Sequence, residues 1–204
     1  MMDDSDAAVM QAACGDTPAR FAQVFERHHD AVWAYLARAW GPEVADELAG
    51  EVFVSAFARR HHFDPMKGEL RPWLFGIATN VARGRARSLG RAGRALERLR
   101  GRAPVDVPVL ELVDEAAELG DRARALRWAI GRLRPEEREL LVLYAWEELD
   151  YAGIAQALGI PIGTVRSRIS RLRARLREMA ADAGGPPEPP PARPRRITAS
   201  GETL

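Results

Sequence analysis

The sequence has little of several residue types, and each shortage excludes a class of protein. One of its 204 residues is cysteine, Cys14, so neither a disulfide framework nor a zinc site made of thiolates is available. Aromatic residues make up only 7%, and β-branched residues do not alternate with polar ones as they would in strands. No apolar run approaches the length of a membrane span, about 18 residues, and the N-terminus has no apolar signal core. We therefore expect a cytoplasmic protein with no segment inserted in a membrane.

The four histidines offer no metal-binding pattern. They occur as two adjacent pairs, His28 with His29 and His61 with His62. Adjacent residues do not share a helix face, so surface or packing roles suit these histidines better than ligation of one metal. No nucleophile stands beside a base in a recognisable motif. We expect no metal, no cofactor and no catalytic residues, and hence a protein that is not an enzyme.

Ala, Leu, Arg and Glu dominate the composition, which favours an all-α protein. The net charge of +1 conceals a strong segregation of charge along the chain. Residues 64–105 carry ten Lys or Arg against three Asp or Glu, residues 106–121 carry six acids and no base, and residues 161–177 carry six arginines and no acid. Two basic blocks with an acidic stretch between them predict two separate contacts with a polyanion.

The segment from Tyr151 to Arg177 predicts two helices joined by a tight turn. Gly159 stands where a helix C-cap needs a left-handed residue, and Pro161 permits the next helix to begin. At about 100° per residue, the second helix has one narrow apolar stripe. This stripe consists of Val165, Ile169, Leu172 and Leu176.

The face opposite the stripe predicts a helix that reads DNA. It carries Arg166, Ser167, Ser170 and Arg171, and Arg168, Arg173 and Arg175 lie on its flanks. A helix in the major groove needs side chains that reach base edges and flanks that meet phosphates. Arginine suits both roles, because its planar fork pairs bidentately with guanine and its charge does not titrate. The alternative is an ordinary exposed basic helix.

Breaks in the helical pattern predict two small helical domains joined by a flexible linker. Thr17 followed by Pro18, a hydroxyl cap and then a proline, marks the start of the first domain. The predicted segments are a frayed N-terminal extension over 1–16, a first domain over 17–90, a linker over 91–120, a second domain over 121–180 and a disordered Pro/Arg-rich tail over 181–204.

A second basic site is predicted in the first domain. The loop of residues 61–69 contains an aromatic residue and a lysine, and the helix after it shows asparagine and arginine on one face. Such a surface can bind the splayed bases and the backbone of single-stranded DNA. Trp73 and Phe75 in this helix are equally compatible with a place in the core. The candidate strand-binding residues are Phe63, Asp64, Lys67, Asn80, Arg83 and Arg87.

Four segments resemble, in order and spacing, bacterial RNA polymerase sigma factors of the extracytoplasmic-function (ECF) type. They are ADELAGEVFVSAFARR from Ala45, GELRPWLFGIATNVARGRAR from Gly68, LRPEERELLVLYAWEELDYAGIAQALGIP from Leu133 and IGTVRSRISRLRARL from Ile162. The first pair resembles region 2 of that family and the second pair resembles its region 4, with no room for a separate region 3. The resemblance as a whole covers roughly residues 17–178.

The resemblance implies roles for individual residues. The acidic second helix would bind the clamp helices of the largest polymerase subunit through Asp46, Glu47, Glu51 and Phe53, and the flap of the second-largest subunit is a further expected contact. Gly50 departs from the family, which usually has glutamine there. The loop and helix of the second basic site would capture the melted −10 strand.

In region 4 the resemblance places base contacts to the −35 element on Arg166, Ser167, Ser170 and Arg171. It implies phosphate contacts by Thr164 and Arg168, with Arg173 and Arg175 as further phosphate candidates. Promoter DNA, core RNA polymerase and an anti-sigma factor are the expected partners.

Two other functions remain compatible with parts of the chain. A stand-alone helix-turn-helix regulator would explain residues 121–178 equally well and the first ninety residues poorly. A protein-binding helical adaptor would use the arginines as solvated surface, and it would show no steep loss of DNA binding with salt.

The second helix of the 151–177 segment generates a first prediction. Arg171→Ala should weaken binding to the preferred −35 duplex by about 1–3 kcal/mol and relax sequence discrimination there. Arg168→Ala should weaken binding to all duplexes alike, because a phosphate contact carries no sequence information. Titration of preferred and scrambled duplexes measures both effects, and equal, sequence-independent losses for the two variants would show that the helix is rotated relative to this assignment.

Overall fold

The structure is a computed structural model that describes residues 5–100 and 120–182, with side chains described over 5–89 and 125–182. Within those residues the chain is helical and has no strand, which confirms the predicted all-α class. Most of the predicted linker, over residues 101–119, and the predicted tail from 183 onward lie outside the described residues.

The first half of the chain is a bundle of four helices. α2 packs on α3, and both of them contact α4. At the centre a buried hydrogen bond of 2.6 Å joins the hydroxyls of Tyr35 and Thr79, and the Phe75 ring lies 5.1 Å from the Tyr35 ring. Phe75 is therefore a core residue, as one of the two interpretations of the sequence expects. The helices are α1 (Asp6–Cys14), α2 (Phe21–Trp40), α3 (Pro42–Ala58) and α4 (Leu70–Arg100).

α1 corrects the prediction that residues 1–16 are frayed. Ser5 caps the helix by accepting a hydrogen bond from the Ala8 N–H, and Val9 and Met10 are buried against the bundle. A polar contact adds to this packing, because Asp6 accepts a hydrogen bond of 2.8 Å from the His28 ring. The apolar face of α1 packs on α2, and the free energy of burying it offsets the entropic cost of ordering a short terminal helix. The composition alone does not reveal this packing.

A helical turn begins at Pro18, where the sequence predicts a helix start, but it is a 3-10 turn without the predicted hydroxyl cap. The Thr17 side chain makes no capping hydrogen bond, and a single 3-10 turn over Pro18–Arg20 precedes α2. At the other end, α4 continues to Arg100, so the segment predicted as linker from residue 91 begins as helix.

The second half contains α5 (Gly120–Gly131), α6 (Pro135–Ala145), α7 (Tyr151–Leu158) and α8 (Ile162–Asp182). α8 packs against the other three helices. Local contacts determine where the short helices begin and end: the Asp150 side chain caps α7 by accepting from the Gly153 N–H at 2.7 Å. Gly159 ends α7 in the left-handed conformation that the sequence predicts, with φ of 63°.

The two halves are in direct contact in this structure. α7 lies along α4, and α6 lies on α2. The approach of α7 is so close that a Cβ added to Gly76 of α4 would stand 2.9 Å from the carbonyl oxygen of Ala157. The halves are thus apposed through backbone and small residues at α4 and α7.

The turn at Gly159 generates a stability prediction. Gly159→Ala should lower the free energy of unfolding by about 1 kcal/mol, because a Cβ is disfavoured at positive φ. Gly163→Ala is the matched control: an added Cβ there meets no atom within 4 Å, and alanine is the better helix former. Urea denaturation measures the free energy of unfolding of both variants. Equal stability of the two would show that a Cβ is not disfavoured by the backbone conformation at residue 159.

Candidate nucleic-acid interface

The α8 helix presents its polar side chains as the helical wheel predicts. Val165, Ile169 and Leu172 are buried, with 0%, 2% and 5% of their surface exposed. The predicted base readers Arg166, Ser167, Ser170 and Arg171 are all exposed, as is Arg168, and Thr164 is half-buried. The buried stripe therefore fixes the rotation of α8 and turns the arginine face outward.

The contacts described for the exposed face of α8 are weak and lie within its own half. Ser167 donates to the carbonyl oxygen of Thr164 at 3.0 Å, and the Arg171 Nε donates to the carbonyl oxygen of Ser167 at 3.2 Å. The Arg166 guanidinium lies 5.9 Å from the centre of the Tyr151 ring. Contacts of this kind at the surface contribute little, so the side chains are available for exchange with DNA contacts.

Arg173 and Arg175 lie on the inner side of α8 and bind other helices. Arg173 donates to the Tyr144 hydroxyl at 2.6 Å, and Arg175 donates to both carboxylate oxygens of Glu137 at 2.6 Å. Burial opposes ionisation of Glu137, but hydrogen bonds from Arg134 and Arg175 outweigh it and lower its pKa. These two arginines join α8 to α6, a role that the sequence prediction of phosphate contacts did not include.

The predicted loop of the strand-binding surface is a structured turn. The Asp64 carboxylate accepts from the Met66 N–H at 3.0 Å and pairs with the Lys67 ammonium at 2.9 Å. The hydrogen bond from Lys67, followed by that from Met66, lowers the pKa of Asp64, so the turn carries an ionised carboxylate. Phe63 packs on Trp73 with ring centres 5.6 Å apart. The aromatic pair and the lysine are thus adjacent at one end of α4.

Of the three residues of α4 that are predicted to bind the strand, two are exposed to solvent and one contacts the second half of the chain. Asn80 and Arg87 are exposed. Arg83 is half-buried and forms a bidentate ion pair with Glu139 of α6, its Nε lying 3.1 Å from each carboxylate oxygen. The structure therefore pairs Arg83 with the second half of the chain, whereas Asn80 and Arg87 are open to solvent.

Two glutamates of the second half are almost completely buried against arginines of the first half. Glu139 is 0% exposed, and Glu147 is 3% exposed. The Glu147 carboxylate accepts from Arg38 at 3.0 Å and from Arg71 at 2.8 Å. Burial raises the pKa of both carboxyls, and the arginines reverse that effect only in part. The contact between the halves thus holds two separate charge clusters: Arg83 with Glu139, and Arg38 and Arg71 with Glu147.

Comparison with known proteins identifies the family. Residues 24–92 match the model of sigma-70 region 2, and residues 123–176 match that of sigma-70 region 4. The RNA polymerase sigma factor NccH of Alcaligenes xylosoxydans xylosoxydans is 32% identical over 84% of this chain and 91% of its own length. The ECF RNA polymerase sigma factor SigE of Mycolicibacterium smegmatis is 34% identical over 78% of this chain. The chain belongs to the ECF family of RNA polymerase sigma factors. It spans 61% of the length of SigE.

Solved structures share the fold of this sigma factor. CnrH in complex with the cytosolic domain of CnrY matches with a TM-score of 0.58 and 27% identity, over 89% of this chain and all of that one. The sigma factor RpoE of Bartonella quintana in complex with the anti-sigma factor NepR matches with a TM-score of 0.57 and 24% identity, over 79% of this chain and 96% of that one. The second match supports the fold alone.

The acidic helix α3 of region 2 is partly engaged within the sigma factor. Asp46 accepts from the Trp33 indole at 2.8 Å, and Glu47 pairs with Arg85 at 2.6 Å. Glu51 is exposed, whereas Phe53 is 5% exposed. Gly50 stands where the family usually has glutamine, and a Cβ added there would meet no atom within 4 Å. The missing side chain therefore leaves open space on this face of α3. The role of these residues in polymerase binding stays a prediction.

Other kinds of site are not seen in the part of the sigma factor that the structure describes. Over that part no group of three or more His, Cys, Asp and Glu side chains could hold a metal ion. None of the described helices is both long enough and apolar enough to span a bilayer.

The inner arginines of α8 generate the next prediction. Arg175→Ala should lower the free energy of unfolding by about 1 kcal/mol, because it removes charged hydrogen bonds to a mostly buried glutamate. Arg168→Ala, on the exposed side of the same helix, should leave stability nearly unchanged. Thermal unfolding of the two variants distinguishes them. Equal stability of the two variants would mean that the contact with Glu137 does not hold α8 in place.

Proposed function

We propose that this ECF sigma factor directs core RNA polymerase to specific promoters, with region 4 reading the −35 duplex and region 2 capturing the melted −10 strand. The observation that carries the proposal is the outer face of α8, where Arg166, Ser167, Ser170 and Arg171 are exposed above a buried apolar stripe. Arginine on such a helix can pair with guanine in the major groove, and the serines can donate to or accept from either base.

Region 2 would supply the second contact with the promoter. Asn80 and Arg87 are exposed on α4, and the turn that holds Phe63, Asp64 and Lys67 lies at the start of that helix. Unstacking a base costs a few kcal/mol, which stacking on aromatic rings and phosphate contacts would offset. Promoter melting would therefore be driven by binding, and the chemistry of RNA synthesis would belong to the polymerase, so the sigma factor itself would not be an enzyme.

Core polymerase would bind the acidic face of α3. Glu51 is exposed there, and Asp46 and Glu47 stand on the same face, where they contact Trp33 and Arg85. The clamp helices of the largest subunit are the proposed partner of this face, and the flap of the second-largest subunit is the proposed partner of region 4. Because the protein would act together with polymerase on chromosomal DNA, it would be located in the cytoplasm.

An anti-sigma factor is a further proposed partner. RpoE of Bartonella quintana was solved with the anti-sigma factor NepR, and CnrH was solved with the cytosolic domain of CnrY. The similarity of both folds to this chain supports a partner of the same kind, which would cover the surfaces that otherwise bind polymerase and DNA.

Run-off transcription tests the proposal directly. Promoters would first be found by mapping transcript starts after overexpression of the sigma factor. Purified core polymerase with the sigma factor should then start transcription from these templates, and Glu51→Arg should reduce the yield severely because it reverses a charge on the polymerase-binding face. Glu178→Arg, an exposed glutamate at the far end of α8, is the control and should retain activity.

The rival function makes a different prediction in the same assay. A stand-alone helix-turn-helix regulator would bind the promoter duplex by itself and never redirect core polymerase. Promoter binding without any specific transcript from core polymerase would overturn the sigma-factor proposal.

A further inference from the structure

One face of α3 is exposed along almost the whole length of the helix. It carries Glu43, Glu47, Gly50, Val54 and Phe57, which recur at intervals of three or four residues and are all exposed. Val54 is 70% exposed and Phe57 is 38% exposed. We call these five residues the α3 strip. The strip is acidic at its start and apolar at its end.

Aromatic side chains from two helices widen the apolar end of the α3 strip. Phe25 of α2 is 42% exposed and packs on Phe53, with ring centres 4.9 Å apart. Phe21 packs on Phe57, with ring centres 5.3 Å apart. The four rings border the exposed Val54. Exposed apolar surface with charged residues at its edge is typical of a binding site.

Charges of opposite sign lie at the two ends of this apolar surface. Glu47 and Glu51 are exposed on the acidic side, where Glu47 also pairs with Arg85 at the surface. Arg59 is exposed on the other side, just past Phe57. The order along α3 is therefore acidic, apolar and basic.

We propose that the Pro/Arg-rich tail of the same chain binds the α3 strip as an extended segment. The tail lies outside the described residues, and its sequence from Pro186 to Arg196 is PPEPPPARPRR. Proline-rich segments form polyproline II helices that dock on surfaces lined by aromatic residues, and they lose little entropy on binding because the helix is already formed. The inference goes beyond the proposed function and does not require it.

The charges of the tail occur in the order that the strip requires. Glu188 precedes three prolines, and Arg193 follows them. Five residues of polyproline II helix span about 16 Å at about 3.1 Å per residue. On α3 the eight residues from Arg59 back to Glu51 span about 12 Å at 1.5 Å per residue. The long side chains of Glu and Arg bridge the difference, so the two oppositely charged pairs can form at once with the prolines on the apolar surface.

The spacing continues to match in the next turn of α3. From Glu51 to Glu47 the helix rises about 6 Å. From Arg193 to Arg195 a polyproline II helix also rises about 6 Å. Pro194 then falls at Gly50, where an added Cβ would meet no atom within 4 Å, so there is room for the proline ring. Surface ion pairs contribute little affinity, and here they determine the register and direction of the tail.

The tail is long enough to reach α3 from the end of α8. α8 ends at Asp182, and Arg196 follows 14 residues later. At about 3.1 Å per residue these 14 residues span about 43 Å. A compact chain of 204 residues has a radius of gyration of about 17 Å. A tether of this kind keeps the tail at an effective concentration of about millimolar, so a modest affinity is sufficient for binding.

Binding of the tail has a consequence for core polymerase. Glu51 is both a neighbour of the α3 strip and a proposed contact of the clamp helices. A bound tail and the clamp helices would therefore compete for the same face of α3.

Paramagnetic relaxation enhancement in the full-length chain tests the proposal. A nitroxide would be attached at Ala192→Cys in a Cys14→Ser background, and amide signals would be compared with the label oxidised and reduced. We expect selective broadening of the amides of residues 50–57 on α3. The broadening should decrease with added salt, because the ion pairs that fix the register are exposed.

Two pairs of variants test the partners on the folded part of the chain. Gly50→Gln fills the space assigned to a proline ring and should remove the selective broadening. Gly84→Gln is its control, because an added Cβ at this helical glycine also meets no atom within 4 Å. Glu51→Arg should remove the broadening, whereas Glu178→Arg makes the same change of charge at an exposed residue of α8 and should retain it. Equal loss in the members of either pair would overturn the proposal.

A change confined to the tail keeps the test valid if a variant of α3 does not fold. Glu188→Arg together with Arg195→Glu preserves the composition and the net charge of the tail and reverses the order of its charges. We expect this variant to lose the selective broadening. Unchanged broadening would show that the tail has no register on α3 and would overturn the proposal.

Other occupants of the strip give different results. A mixture of isotope-labelled chain and spin-labelled chain detects contact between molecules, and broadening that appears equally in this mixture would identify a second copy as the occupant. Absence of broadening on α3 until core polymerase is added would identify polymerase as the occupant. Either result would overturn binding by the tail of the same chain. Failure in run-off transcription would instead overturn the proposed function, because the relaxation measurements use neither polymerase nor DNA.

Discussion

The ion pairs of two buried glutamates with three arginines are the interaction on which the arrangement of this sigma factor depends. Glu139 and Glu147 are inaccessible to water, and a carboxylate in such a place requires a cation beside it. Region 2 provides these cations from α2 and α4, so the two regions are joined at the points where their charges are buried. Apolar residues of both regions belong to one core cluster around these pairs, so the charges add specific partners to an interface that is also packed.

Arginine side chains have three different roles in this structure. On the outer face of α8 it is exposed and lightly held, as the proposed base-reading role requires. On the inner side Arg173 and Arg175 bind Tyr144 and Glu137, so they position the helix that carries the proposed base readers. Between the regions Arg83 is paired with a buried carboxylate. The surroundings of each side chain, rather than its type, decide which of these roles it has.

The sequence predicted features that follow from local periodicity and left out those that follow from tertiary contacts. The stripe of α8 and the left-handed Gly159 depend on residues within one turn of each other, and both were predictable. The docking of α1 depends on α2, and the burial of Glu139 depends on Arg83, which is 56 residues away. A glutamate in a helix resembles a solvated residue until its partner is known. The same limit applies to Arg175, whose contact with Glu137 does not follow from the sequence pattern.

The distance between the two regions in solution tests the central claim most directly. Spin labels at Ala58→Cys on α3 and Glu178→Cys on α8, in a Cys14→Ser background, would report that distance by pulsed electron paramagnetic resonance. The account predicts one narrow distribution for the free chain, and a longer and broader one when core polymerase and promoter DNA are added. A broad distribution in the free chain that polymerase leaves unchanged would contradict it.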